Sequence, residues 1–219
     1  MLVACWSVKG GAGTTVISAS LALLLAQSAP SGALLADLAG DLPAALGLPE
    51  PDSPGLSAWL AAGESVPADA LARLEVTVTS GLTLLPRGDG ELLAHRAGLL
   101  AGLLDSAARP TVVDCGRIDD RGSAAASVAV AASARRSLLV IRPCFMALRR
   151  AMQAPLRPSG VVVVHEPGRA LTTADIQQVV QAPVLAEVVL DPAVARAVDA
   201  GMLAGRLPRS LAKALSRAA

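Results

Sequence analysis

Between an apolar run at Leu2–Cys5 and a longer one at Val16–Ala26 lies Lys9-Gly10-Gly11-Ala12-Gly13-Thr14-Thr15. Strand, glycine loop and helix in that order make the layout of a phosphate-binding loop. Successive backbone N–H groups of such a loop form a concave anion site, and the helix N-terminus behind it adds partial positive charge. One feature departs from the pattern: Thr14 stands where such loops normally carry their phosphate-contacting lysine. A tight glycine turn whose only task is to start a helix is the competing account of the same residues.

The rest of the chain alternates between strand-like and helix-like segments. Strands are expected at Leu2–Cys5, Ala33–Ala36, Leu82–Leu85, Thr111–Val113, Ser137–Ile141, Gly160–Val164 and Val184–Val189. Several are continuous apolar runs, the pattern of a parallel strand covered on both faces. Helices are expected at Thr15–Gln27, Leu56–Ala62, Ala68–Leu74, Glu91–Ala107, Ser123–Ala134, Thr173–Gln181, Pro192–Ala200 and Arg209–Arg217, with Thr173 as a candidate cap. The order predicts a doubly wound α/β fold, a mostly parallel sheet flanked by helices, with ligands at the strand C-termini. At 219 residues, 53% of them hydrophobic, the chain reads as one domain spanning 1–219. The Pro/Gly-rich stretch from Leu48 to Gly55 reads as a surface connection.

Aromatic residues are Trp6, Trp59 and Phe145, with no tyrosine, which argues against base-stacking recognition of single-stranded nucleic acid. Net charge is +1, yet residues 1–109 carry −5 and residues 110–219 carry +6. Such asymmetry fits either a basic face for DNA or anionic lipid, or ordinary solvated surface, which is the favoured reading. Only Lys9 and Lys213 among nineteen basic residues are lysines. Cys5, Cys115 and Cys144 fall near strand ends without metal-type spacing and read as small buried residues in a reducing compartment. No charged leader precedes an apolar stretch, and the run Val16–Ala26 is too short to span a bilayer. The expectation is a soluble cytoplasmic protein, with peripheral membrane attachment left open.

Lys9 to Thr15 resembles the deviant Walker A signature, Lys-Gly-Gly-x-Gly-Lys-Thr, of the ParA/MinD family of ATPases. The resemblance implies a dimerising ATPase that binds ATP or ADP with Mg2+. Gly10, Gly11, Ala12, Gly13, Thr14 and Thr15 would hold phosphates. Lys9 matches the signature lysine that crosses a dimer interface to the partner's nucleotide. Thr15 matches the magnesium-binding hydroxyl, and Asp114, ending Thr111-Val112-Val113-Asp114, matches the Walker B carboxylate. Asp37 matches the first aspartate of the second-strand motif, which helps position the attacking water. Ala39 replaces the second, and Asp41 is a candidate cap for the family-like segment Leu42-Pro43-Ala44-Ala45-Leu46-Gly47. His165 stands where relatives carry an adenine-recognising asparagine.

The resemblance extends along nearly the whole chain, through Leu138–Pro143 and through Val188–Pro192 with its following helix. It looks closest to the MinD-like branch that includes the CpaE/TadZ pilus-assembly and septum-site proteins. The implied partners are a second copy of the chain, as a homodimer, and a protein of division, pilus assembly or DNA partitioning. Arg149 and Arg150 read as an exposed helix face ahead of a DNA or partner contact. Arg206, Arg209, Lys213 and Arg217 alternate with Leu207, Leu211 and Leu215. That pattern fits a membrane-binding tail as well as the fold's last helix, the latter being favoured. Losing one electrostatic group of the loop-lysine kind typically costs about 10²–10³ in rate. The neutral hydrogen bond Thr14 offers is roughly half as strong as a charge-assisted one. Two readings therefore stand: a switch with weak or slow hydrolysis, and a pseudo-ATPase scaffold that retains the fold and dimer surface.

Overall fold

The computed structural model describes all residues except 53, 64, 65, 68 and 120–123. In chain order the elements are β1 (Leu2–Ser7), α1 (Thr14–Ser28), β2 (Ala33–Asp37), α2 (Leu42–Leu46), α3 (Gly55–Ala61), β3 (Val76–Thr79), β4 (Leu82–Leu85), α4 (Ala97–Ser106), β5 (Thr111–Arg117), α5 (Ala125–Ser133), β6 (Arg136–Ile141), α6 (Phe145–Met152), β7 (Gly160–His165), α7 (Thr173–Val180), β8 (Val184–Val189), α8 (Pro192–Asp199) and α9 (Arg209–Leu215). The strands form one eight-stranded sheet in the order β3-β4-β2-β5-β1-β6-β7-β8. Neighbours run parallel except β3 against β4.

Continuous apolar strands have two buried faces here, as the pattern required. In β1, Leu2, Ala4 and Trp6 enter one core layer while Val3 and Cys5 enter the other. Helices α3 to α7 cover the Trp6 face, and α1, α2, α8 and α9 cover the opposite one. The indole of Trp6, fully buried, donates to Ser137 Oγ at 2.9 Å, so its polar edge is satisfied inside the core. Helix α1 is apolar around most of its circumference and correspondingly buried. Its two buried serines turn their hydroxyls back onto Thr14 O and Val16 O.

Several sequence expectations are corrected. The expected helix Ala68–Leu74 reduces to a single 3₁₀ turn at Ala72–Leu74; Ala68 lies outside the described residues. The expected helix from Glu91 starts only at Ala97, after a 3₁₀ turn at Ala94–Arg96. Arg96 holds that turn by donating to Trp59 O and Ala62 O and stacking its guanidinium 4.0 Å from the Trp59 ring centre. Ser123, the expected start of the fifth helix, lies outside the described residues, and α5 begins at Ala125. Strand β3 was not expected, because Val-Thr-Val-Thr at a half-buried edge lacks the continuous apolar run that marks its neighbours. Helix α2 covers the segment for which Asp41 was the candidate cap, and α6 carries Arg149 and Arg150 on an exposed face, as expected.

Thr172, not Thr173, caps α7. Its hydroxyl accepts from Asp175 N, and the Asp175 carboxylate accepts from Thr172 N, forming a capping box. The tail takes the favoured of its two readings, the last helix of the fold. Leu211 and Leu215 of α9 are almost fully buried in the layer that α1 and β8 share, while Arg209 and Lys213 face solvent. The apolar stripe that a membrane-binding tail needs is already covered by the sheet. No helix among the described residues is long and apolar enough to cross a membrane.

Candidate functional site

The chain leaves β1 at Ser7 and reaches α1 through residues 8–13. Gly11 (φ 74°) and Gly13 (φ 94°) take left-handed backbone conformations that a side chain would strain. A Cβ at Gly10, Gly11 or Gly13 would meet nothing within 4 Å. These glycines therefore border open space. They do not relieve a packing clash. Gly13 is the N-cap of α1, and no side chain caps that terminus. The first N–H groups of a fifteen-residue helix are thus left to whatever occupies the space in front of them. That space is a cavity of about 570 Å³, bordered by the loop from Gly10 to Thr15, by Asp41 and Arg87, and by Gly116 and Arg117. A turn serving only to start a helix would be expected to cap its N-terminus. This one opens it to a cavity.

Two buried carboxylates stand behind the loop. Asp37, the last residue of β2, is the register partner of Asp114 in the middle of β5, and β5 pairs with β1. Both are fully buried. Asp114 Oδ1 accepts from Gly116 N at 3.0 Å, but its Oδ2 has no hydrogen-bond partner of normal geometry. Burial pushes the Asp114 carboxyl up to about 7, and the neighbouring Asp37 charge pushes the same way. The Gly116 N–H and the nearby Thr15 hydroxyl pull it back only in part. Asp37 is bound differently. Its Oδ1 accepts from Ala39 N and Gly40 N at 2.9 and 2.7 Å, and its Oδ2 from Leu42 N at 3.0 Å. Burial raises its pKa, and these three N–H bonds oppose the rise. The cap of α2 is therefore Asp37; Asp41 sits at the N-cap position without a side-chain bond, contrary to expectation.

The remaining expected site residues are spread around the loop. Thr14 and Thr15 line the cavity, Thr14 being nearly buried. Ala12 packs into the core. Lys9 is exposed and borders a smaller cavity, of about 90 Å³, on the other side of the loop. Arg142 and the Glu166–Arg169 ion pair (2.6 Å) border it too. His165 ends β7 but borders neither cavity. Its Nε2 lies 2.7 Å from Glu187 Oε2 and 3.3 Å from Thr173 Oγ1, which ties it to the β8 side of the sheet. Cys5 and Cys115 are buried, and burial holds the Cys5 thiol at about 12 and that of Cys115 well above its usual value. Arg87 and Arg117 border the main cavity without having been expected there. Arginines in loops after β4 and within β5 carry no motif, and only the strand order brings them to the glycine loop.

No group of three or more His, Cys, Asp or Glu side chains among the described residues is arranged to hold a metal by itself. Magnesium bound to nucleotide needs no such group. It takes one or two oxygen ligands from protein, several waters and the phosphates. The unpaired Asp114 Oδ2 beside the Thr15 hydroxyl fits that requirement, as the uncapped α1 N-terminus and bare loop fit the phosphates.

No protein-family model matches the chain, and no curated protein sequence does. Solved structures do. A ParA family ATPase from Chlorobium tepidum TLS superposes with a TM-score of 0.80 at 20% identity, over 98% of this chain and 95% of that one. The septum site-determining protein MinD complexed with Mg-ADP, from Pyrococcus horikoshii OT3, gives 0.77 at 21% identity, over 99% and 94%. The Pyrococcus furiosus cell division ATPase MinD gives 0.76 at 23% identity, over 100% and 99%. In architecture, from the mostly parallel sheet to the helices on both its faces, the chain has the fold of the ParA/MinD ATPases.

Proposed function

We propose that this chain is a nucleotide-binding protein of the ParA/MinD type, one domain over residues 1–219. It acts as a homodimeric switch that positions cellular machinery: a septum, a pilus assembly or a DNA cargo. The observation that carries the reading is the open α1 N-terminus and bare glycine loop facing a cavity, with the unpaired oxygen of Asp114 behind them.

In this reading the N–H groups from Gly10 to Thr15 bind the phosphates of ATP or ADP. Thr15 and Asp114 hold Mg2+, which supplies charge neutralisation of the phosphate oxygens. Occupation by a cation would return Asp114 to its ionised form. Lys9, exposed and without an ion pair among the described residues, is free to reach the partner's nucleotide across a dimer interface. Asp37 acts on the attacking water only through lone pairs that its three backbone bonds leave over, so its main contribution is to hold the β2–α2 turn. His165 would reach adenine only by giving up its contact with Glu187.

The same observations favour a second reading, that of the pseudo-ATPase. Thr14 removes the loop cation, and Asp37 is already engaged by the turn. Both readings predict nucleotide binding weaker than that of a lysine-bearing loop; they part over turnover. Calorimetry with Mg-ATP and Mg-ADP tests the site, and steady phosphate release separates switch from scaffold. Sedimentation with Mg-ATP tests the dimer: Lys9→Ala should leave binding to the monomer nearly intact and reduce nucleotide-dependent dimerisation. Thr14→Lys should strengthen ATP binding under either reading. No gain in Thr14→Lys would refute the assignment of the phosphates to this loop.

A further inference from the structure

The loop has lost its cation, yet the cavity in front of it has two arginines on its walls: Arg117, beside Ser7 where β1 runs into the loop, and Arg87, which follows β4 three strands away. Arg117 is already committed, its guanidinium 2.7 Å from Asp119 Oδ2. Arg87 has no ion pair among the described residues. Its Nη1 donates only to the carbonyl of the next residue, Gly88, at 3.0 Å. That local bond is readily exchanged for a stronger one, since hydrogen bonds from a guanidinium to an anionic oxygen are about twice as strong as those to neutral acceptors.

The backbone that carries Arg87 is held in place. Leu56 N donates to Pro86 O and Ser57 N to Arg87 O, both at 2.8 Å, which fastens the end of β4 to the first turn of α3. Gly88 (φ 74°) approaches Pro54 so closely that a Cβ there would lie 2.2 Å from Pro54 O. The side chain then crosses the β2–α2 turn: its Cδ would be 3.3 Å from a Cβ at Gly40, and Gly40 N–H is one of the three donors that hold Asp37. A half-buried, preorganised arginine thus lies along the wall of the cavity that also has Asp41 and Glu91 on its rim, and it pairs with neither.

We infer that Arg87 supplies the positive charge missing at Thr14, by binding the terminal phosphate of a nucleoside triphosphate seated on the glycine loop. This rests on the reading of the loop as a nucleotide site and adds to it a residue from outside the loop. It places the cation at the β4–β2 side of the cavity. Arg87 would therefore discriminate triphosphate from diphosphate, whereas the loop N–H groups serve both.

Calorimetry of Mg-ATP and Mg-ADP binding to wild type and Arg87→Gln tests this, with thermal melting as the control for folding. Arg87→Gln should weaken Mg-ATP by roughly ten- to a hundredfold, with a far smaller change for Mg-ADP. Arg117→Gln should change both little. In a Thr14→Lys background the loss from Arg87→Gln should shrink, since the loop then carries its own cation. Arg87→Met keeps the apolar stem over Gly40 and gives the same comparison should Arg87→Gln not fold. Equal losses for the two nucleotides, or none, overturn the role of Arg87 while leaving the nucleotide site standing. A wild-type protein that binds neither nucleotide overturns the site itself, and this inference with it.

Discussion

Replacing Asp114 by asparagine should stabilise the ligand-free protein at neutral pH and remove a defined part of its pH dependence. Asp114 is fully buried, and only one of its oxygens has a hydrogen-bond partner. Its proton leaves the unfolded chain near the ordinary value of 3.8 and leaves the native state only at about 7. Between those values the native state holds the extra proton, so stability falls as pH rises and levels off above about 7. At 1.36 kcal/mol per pH unit the interval is worth about 4 kcal/mol, of which about 3 kcal/mol falls between about pH 5 and pH 8. Asparagine preserves the size of the side chain and an oxygen for Gly116 N–H, and it does not titrate. Urea unfolding of wild type and Asp114→Asn, in chelator, at several pH values gives the difference directly, because groups that do not interact with Asp114 cancel. What remains is the titration of Asp114 coupled to Asp37. The wild type should lose about 3 kcal/mol relative to the variant over that range. Mg-nucleotide should restore stability to the wild type and much less to the variant. A difference that stays constant with pH would show that Asp114 is ionised throughout. The account of an unpaired oxygen waiting for a cation would then fail.

Two further outcomes test the fold around this site. Leu215→Ala, at a fully buried position of α9, should cost about 2–5 kcal/mol in denaturant unfolding; a value near zero would return the leucine stripe to solvent and reopen the membrane-tail reading. Thr172→Ala should cost about 1 kcal/mol by removing the capping box of α7, while Thr173→Ala should leave the cap intact; equal effects would mean that the helix starts elsewhere.

How much of this is legible in the sequence depends on how local the signal is. The strand of β1, the glycines and the start of α1 are contiguous, so loop geometry, backbone conformation and helix polarity all come from neighbouring residues. Asp114 is legible because it closes the apolar run Thr111–Val113, although β5 itself continues to Arg117. The corrected elements have the opposite character. Thr172 and Thr173 are adjacent and chemically alike, and which one caps α7 depends on the entry angle of the chain; Thr173 instead donates to Glu187 across on β8. Asp37 and Asp41 present the same ambiguity at α2, resolved by the depth at which β2 ends. Strand β3 and the late start of α4 arise from an edge position and from the contact of Arg96 with Trp59, neither of which has a local pattern.

Residue order alone determined that a strand, a bare glycine turn and an apolar helix succeed one another, and that most later strands are buried on both faces. Those are consequences of backbone stereochemistry and of side-chain period, which act over a few residues. The strand order set β5, β2 and β4 in succession on one side of β1. It thereby brought Asp37 against Asp114, left one carboxylate oxygen without a partner, and put Arg87 on the wall of a cavity it shares with a loop far from it in sequence. Such meetings are fixed by how the sheet closes its hydrogen bonds and buries both faces, which is a property of the whole chain.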